Sequence, residues 1–445
     1  MTAHESAPRG ERRRFGGLLR QRNFRLFWVG ETVSLLGSAM ALIGVPLLAV
    51  LSLHATTFEV GALAAAAYLP WLVIGLPAGA WVDRLPPRPV MIACDLASAA
   101  LYASVPIAYA IGALTIGQLF AVQLLAGAAG VLFSTAYQVN LPSLVTLGEL
   151  AEGNAKLQAS SSAAALGGRG LAGVVAQVVG VTAALVFNAA SFLVSAVCLL
   201  AIRAPEPRPA APRRVSTLRR DVTDGMALVS RDPYLRPLAL FGGVANFALD
   251  GFAALVVVFL VRTVGLPVGL TGLLTALPGL GGLLAAFTAR PLIAKVGSSR
   301  GLLLATIGAL PFALLIPLAG QGPRLVFYVV GVLVTATGVT MGNIILATFR
   351  QVYCPPGMLG RVTATMRFVI MGTSPFGALA GGALGTWLGP RNALWVVLAI
   401  LTVSGMPLLG REFTRHRDLP AAPAASAPAP AAASSASSAS SASSA

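Results

Sequence analysis

The chain has 445 residues, of which 56% are hydrophobic and 10% charged, and its net charge is +16. Soluble domains carry roughly 25% charged residues, so a water-soluble fold could not hide this much apolar surface, and the solvent for most of the chain must be lipid. The positive charge does not signal nucleic acid, because the arginines fall between apolar blocks and no basic stripe alternates with aromatics.

A membrane-crossing helix needs about 20 mostly apolar residues. Twelve such blocks follow one another, at 25–52, 57–82, 88–111, 115–138, 155–179, 181–202, 236–262, 268–294, 300–319, 324–349, 361–387 and 391–410. They are too long for barrel strands and do not alternate. The expected fold is an all-α membrane protein of twelve transmembrane helices. Ahead of them lies a basic segment, 1–24. It has no small-residue cleavage site, so the first apolar block reads as a span rather than a removable signal peptide. Spans one to six form an N-terminal half, 25–202, and spans seven to twelve a C-terminal half, 236–410.

The linker between the halves, 203–235, places Val215, Leu218, Val222, Met226 and Val229 at steps of three or four, with Arg219, Arg220, Asp221 and Asp224 between them. That pattern fits a short amphipathic helix, lying either on the inner leaflet or on the protein's own cytoplasmic face. In the tail, 411–445, the stretch 420–445 is proline, alanine and serine alone and is expected to be disordered.

Of the 31 lysines and arginines, 27 fall in loops or helix ends on one side of this topology, and three, Arg262, Arg324 and Arg391, on the other. Basic residues collect on the cytoplasmic side, so a multi-pass protein of the cell membrane with both termini inside is expected. The chain also repeats itself. Shifted by about 211 residues, Arg25 falls on Arg236, Gly61 on Gly272, Arg84 on Lys295 and Pro106 on Pro317. Two six-span halves joined by a basic linker are an architecture associated with secondary transport.

Between spans two and three runs "GAWVDRLPPRPVM", 79–91. It resembles the signature of the major facilitator superfamily in this loop, with Gly79, Asp83, Arg84 and Arg88 at the matching positions and Pro86 and Pro87 replacing the usual glycine and first base. The resemblance covers about residues 18–410. Three stretches, "RNFRLFWVGETVSLLGS" (22–38), "NLPSLVTLGELAEGNAKL" (140–157) and "SFLVSAVCLLAIRAPEP" (191–207), are similar to the branch that holds macrolide-efflux and enterobactin-exporter-like proteins. It implies that Asp83 latches against the start of span eleven near Arg361, where a helix N-terminus favours an anion, with Arg84 and Arg88 facing carboxylates or headgroups and Asp95 supporting them. The matching loop of the second half, "LIAKVGSSR" (292–300), keeps Lys295, Gly297 and Arg300 but has Ala294 where the acid would fall, so the gate is expected to be asymmetric.

Ionisable residues inside a span cost several kcal/mol unless paired or hydrated, and so mark function. Glu31 lies about two turns into span one, which lines the central cavity in this family. It reads either as a proton- or cation-binding group or as an interfacial acid paired with a base such as Arg25. Asp250 in "NFALDGFAAL" and Arg169 in "LGGRGLAGVV" sit near the middles of spans seven and five. They are candidates for proton or substrate coupling and for a pair across the cavity. Arg169 stands about where exporters of the family carry the proline of a Gly-Pro motif. Gln123, Gln138, Asn140, Asn246 and Asn343 are candidate cavity residues, with interhelical hydrogen bonding as the other reading. Phe27, Trp28 and Tyr68 are the aromatic candidates. Glycine-rich runs at 279–286 and 376–385 suit helices that approach closely and slide.

Cys94, Cys198 and Cys354 are far apart and signal neither a disulfide framework nor a metal site, and His4, His54 and His416 lie outside the apolar blocks. There is no phosphate-binding loop and no nucleophile–base–orienter set, so neither an ATP-driven pump nor an enzyme is expected, and no cofactor. The expectation is a monomeric secondary transporter, in contact with the lipid bilayer, that exports bulky lipophilic compounds in exchange for protons. An importer or facilitator of a small metabolite is the other transport reading, and a non-transporting membrane receptor or assembly protein lies outside that class.

Overall fold

The structure, a computed structural model, describes residues 17–82, 85–146, 149–203, 226–354 and 359–420. The spans expected from the sequence are helical within a few residues of the boundaries given above. The first half comprises α1 (Arg22–Ser52), α2 (Thr57–Val82), α3 (Pro87–Ala110), α4 (Ile116–Leu144), α5 (Leu150–Val178) and α6 (Ala183–Ala201). The second half comprises α7 (Leu235–Val258), α8 (Val268–Val296), α9 (Ser298–Leu303, continuing in tighter and wider turns to Leu318), α10 (Leu325–Tyr353), α11 (Leu359–Gly372), α12 (Ser374–Leu388) and α13 (Pro390–Val403). Among the described residues, eleven stretches are long and apolar enough to cross a membrane. The remaining long helix, α5, has 29 residues but carries Glu152, Lys156, Arg169 and three consecutive serines at 160–162. Its polarity follows from its position, since it runs between the halves rather than against lipid alone.

Span eleven, expected as one helix over 361–387, is broken between α11 and α12. Pro375 lacks the N–H an uninterrupted helix would use, and Thr373 turns its hydroxyl to the carbonyls of Ile370 (2.7 Å) and Gly243 (3.1 Å). The chain beyond α7 widens into a π turn, Phe259–Thr263. Such turns redirect side chains, and here Arg262 donates from Nη2 to the Val50 carbonyl of the other half at 3.2 Å.

Within each half the packing is close because small residues face one another. Gly30, Gly37 and Gly44 of α1 recur every seven residues and meet Cys198, Ser191 and Ala184 of α6, which recur with the same period in the opposite direction. These two spans therefore approach closely without large side chains between them. Arg88 is buried and donates from Nη1 to the carbonyl of Ile202, just past α6, at 3.1 Å. Asp95 is 1% exposed and bonded to Ser195 of α6. Both residues tie α3 to α6.

The halves meet along two seams, α2 against α12 and α5 against α8. At the level of Gly173 and Gly272 the α5–α8 backbones touch, and a Cβ built on Gly173 would fall 2.5 Å from Gly272 Cα. At the α2–α12 seam a Cβ on Gly61 would fall 2.7 Å from Gly382 Cα. Gly61 and Gly272 are the pair that the internal repeat aligns, so the two seams are related by the same pseudo-symmetry. Both contacts lie near the face opposite the loops 82–87, 144–150 and 296–298. Three hydrogen bonds between the halves lie at that same end: Arg262 to Val50, Phe58 N to Thr386 Oγ1 (3.0 Å) and Gly269 N to Gln177 Oε1 (2.8 Å).

A candidate transport site between the halves

A cavity of about 450 Å3 lies between the halves. Its walls come from α1, α2, α4 and α5 on one side and from α7, α8, α10, α13 and the turn around Ile316 on the other. Most of the lining is Leu, Ile, Val, Ala, Phe and Pro, including Pro46 and Pro278, which lie inside α1 and α8. The polar lining is Tyr68, Gln123, Arg169, Asp250, Thr275, Tyr328, Thr335 and Thr340.

Arg169 and Asp250 therefore share one cavity, on opposite halves. They are not ion-paired, because the one salt bridge among the described residues is Lys156–Glu152 at 3.5 Å. Arg169 Nε is buried with no hydrogen-bond partner. Asp250 is held instead by its own half. Its Oδ2 accepts from Asn246 Nδ2 at 2.9 Å, and Ser374, the first residue of α12, also bonds it. Asn246 Nδ2 lies 2.8 Å from Ser374 Oγ and 3.0 Å from the Ile370 carbonyl freed by the break in span eleven. The break thus builds a polar nest around Asp250 out of backbone and short side chains. Ser374 was not a candidate from sequence, although the Thr-Ser-Pro at 373–375 that breaks the span could have marked it. Tyr68 lines the cavity within electrostatic reach of both Arg169 and Asp250.

Other candidates are placed elsewhere. Glu31 is not among the cavity-lining residues; those of α1 begin at Leu42, three turns further along. It lies instead within electrostatic reach of Asp95 and Tyr137, inside the first half. Phe27 stacks on Tyr137 with ring centroids 5.3 Å apart, and Trp28 Nε1 is buried without a partner away from the cavity. Gln123 lines the cavity and accepts from the Tyr102 hydroxyl at 3.2 Å. Gln138 is exposed, and Asn140 is fully buried with neither side-chain polar atom bonded. Asn246 and Asn343 line a smaller cavity of about 130 Å3 that shares Leu249 and Val339 with the central one and reaches Arg350 and Met366.

Of the gate residues, Asp83 and Arg84 lie outside the described residues. Gly79 falls in the last turn of α2 and Arg361 in the first turn of α11. Arg88 Nη1 donates to the Ile202 carbonyl just past α6. Arg367 stands two turns inside α11 with its guanidinium 5.3 Å from the centre of the Trp71 ring of α2. This cation–π contact crosses between the halves.

The second-half loop is held by the tail. Asp418 Oδ1 accepts from Ser298 N at 2.8 Å, Ser299 N donates to the Arg417 carbonyl at 3.1 Å, and Arg417 Nη2 donates to the carbonyls of Ala294 and Lys295 at 3.3 and 3.2 Å. Gly297, at φ +93°, leaves the space that the Arg417 backbone occupies. A carboxylate from the tail thus serves the loop whose own acid is replaced by Ala294. The linker residue Asp232 caps α7 through Leu235 N (2.8 Å) and accepts from the Tyr353 hydroxyl (2.9 Å), while Val229 is buried against the second half. This end of the linker packs on protein; residues 204–225 lie outside the described ones.

The Major Facilitator Superfamily family model matches residues 27–374. The uncharacterized MFS-type transporter YfiS of Bacillus subtilis is 23% identical over 414 residues, covering 89% of this chain and 95% of that protein. The uncharacterized MFS-type transporter y4rN of Sinorhizobium fredii is 27% identical over 346 residues, covering 77% and 83%. Among solved structures, a mutant of the nucleoside transporter NupG superposes with a TM-score of 0.71 at 14% identity, covering 87% of this chain and 99% of that one. A bacterial homologue of the iron transporter ferroportin scores 0.67 in its inward-facing state, at 17% identity and covering 88% and 98%, but 0.56 in its outward-facing state. The fold, the two-half cavity and the family match together place this chain in the Major Facilitator Superfamily.

Proposed function

We propose that this chain exports bulky lipophilic compounds, such as antibiotics, siderophores or other natural products, in exchange for protons. The halves would rock about the central site, and the face bearing the linker and both termini would be cytoplasmic. The observation that carries the reading is Asp250, a carboxylate on the wall of a largely apolar cavity between two halves closed at one end. An acid so placed can alternate between a proton and a ligand as its access alternates. The direction rests on the resemblance of residues 22–38, 140–157 and 191–207 to the macrolide-efflux and enterobactin-exporter-like branch. Glu31, set against Asp95 inside the first half, is a second proton-binding candidate, away from the substrate. Gly79, Asp83, Arg84, Arg361, Lys295 and Arg300 are proposed to act at the cytoplasmic gate.

Import of a polar metabolite is less well supported, because the cavity wall offers few hydrogen-bonding groups for its size. The test is accumulation of radiolabelled macrolides, tetracyclines, siderophores and lipophilic cations in inverted membrane vesicles energised with a proton gradient. Accumulation of at least one compound, abolished by a protonophore, is the expected result. Accumulation unaffected by the protonophore would remove the proton coupling, and entry only into right-side-out vesicles would reverse the direction.

A further inference from the structure

We infer that the transported molecule is a lipophilic zwitterion, bound with its anionic group against Arg169 and its cationic group against Asp250. The inference rests on the transport reading above and adds a substrate class to it. Four observations support it. Arg169 and Asp250 stand on the two halves of one cavity, yet no salt bridge joins them. Arg169 keeps a buried Nε without any hydrogen-bond partner. Asp250 is fixed by Asn246 and Ser374 rather than by a cation. Tyr68 lines the same cavity as both charges.

A guanidinium in an apolar wall carries a desolvation penalty that only a counter-charge offsets. The protein does not supply that counter-charge among the described residues. A neutral lipophile would dehydrate both charges and satisfy neither. A lipophilic cation would satisfy Asp250 but bring a like charge toward Arg169, and a lipophilic anion would do the reverse. A molecule with both charges and an apolar body satisfies the two poles and the wall together. The planar fork of an arginine suits a carboxylate or phosphate in two-point contact, and the fixed carboxylate suits an ammonium. Protonation of Asp250 would then release the cationic end while leaving the anionic end bound, which links substrate release to the proton.

The test uses the full-length protein in lipid nanodiscs and three probes on one biphenyl body. One carries an aminomethyl group at one end and a carboxylate at the other, one the carboxylate alone, and one the aminomethyl group alone. Binding is read by isothermal titration calorimetry. The expected result is that the zwitterion binds at least about tenfold tighter than either singly charged probe, about 1.4 kcal/mol. Arg169→Gln should remove its advantage over the cation, and Asp250→Asn its advantage over the anion. Arg169→Lys, which keeps the charge, should retain part of the advantage and shows that position 169 tolerates change. Equal binding of the zwitterion and the cation by the wild type, an advantage that survives both neutralising variants, or no binding by any probe would each overturn the inference. Failure of the transport reading is distinguishable, since it would leave this charge preference in place while no compound accumulates in energised vesicles.

Discussion

Gly173 offers the sharpest perturbation of the closed seam. In Gly173→Ala the new methyl would fall 2.5 Å from Gly272 Cα and 2.8 Å from Gly272 N, whereas carbon atoms in ordinary contact are about 3.5–4.0 Å apart. Both opposing atoms are backbone, so no side-chain rotation relieves the clash and the helices must separate by about 1 Å. Overpacking of this kind costs about 1–3 kcal/mol. The cost falls on the state in which this seam is closed and is absent once the halves part there. The ratio of closed to open molecules should therefore fall by about 5- to 150-fold, taking about 1.4 kcal/mol per tenfold. The assay is pulsed electron–electron distance measurement between spin labels at Ala113 and Arg324, exposed residues of the two halves at this end, in a background without the native cysteines. A longer distance in Gly173→Ala is expected. Gly75→Ala, where nothing lies within 4 Å of the added Cβ, serves as the control and should match wild type. An unchanged distribution in Gly173→Ala would refute the argument that this contact holds the closed state.

Three further predictions follow from individual contacts. Arg88→Met should lower thermal stability by about 1.5–3 kcal/mol, the worth of a hydrogen bond from a charged group, since its guanidinium binds the Ile202 carbonyl in a buried setting; an unchanged melting temperature would show that the α3–α6 tie is made elsewhere. Trp71→Leu and Arg367→Leu should couple by about 0.5–1 kcal/mol in a double-mutant cycle of stability, and additive effects would mean the contact between the halves carries no energy. Asp418→Ala removes the carboxylate that caps Ser298 and should cost about 0.5–2 kcal/mol, as loss of a helix cap does; protection of the 294–299 backbone from hydrogen exchange should fall with it, and equal protection in both proteins would contradict the strap.

The spans were legible because the bilayer dictates length and apolarity together, and few soluble patterns imitate them. Arg169 and Asp250 were legible for a related reason, as charges in lipid must be explained by a use. That they share one cavity without forming the expected pair was not, because side-chain depth along a helix does not give the rotation of one half against the other. Glu31 shows the same limit. Its place near the start of α1 was clear, but the cavity opens only further along that helix, from Leu42. The break at 373–375 was masked by an apolar run long enough for one span. The glycine run at 376–385 was read as a place of close approach, and Gly377, Gly381 and Gly382 within it do meet opposing backbone; the seven-residue period of Gly30, Gly37 and Gly44 became evident only from their contacts with α6. The tail's hold on the second-half loop was invisible, because Asp418 and Ser298 are 120 residues apart and nothing local links them.

A proton exchanged at Asp250 as substrate crosses is reported directly by the pH gradient of inverted vesicles. Vesicles containing the wild-type protein, acidified inside and carrying a pH-sensitive dye, are given the panel of lipophilic compounds, with Asp250→Asn vesicles alongside. Collapse of the gradient by at least one compound in wild type, and its loss in Asp250→Asn, is the predicted result. Collapse that persists unchanged in Asp250→Asn, or movement of a compound with no proton response in either, would contradict it.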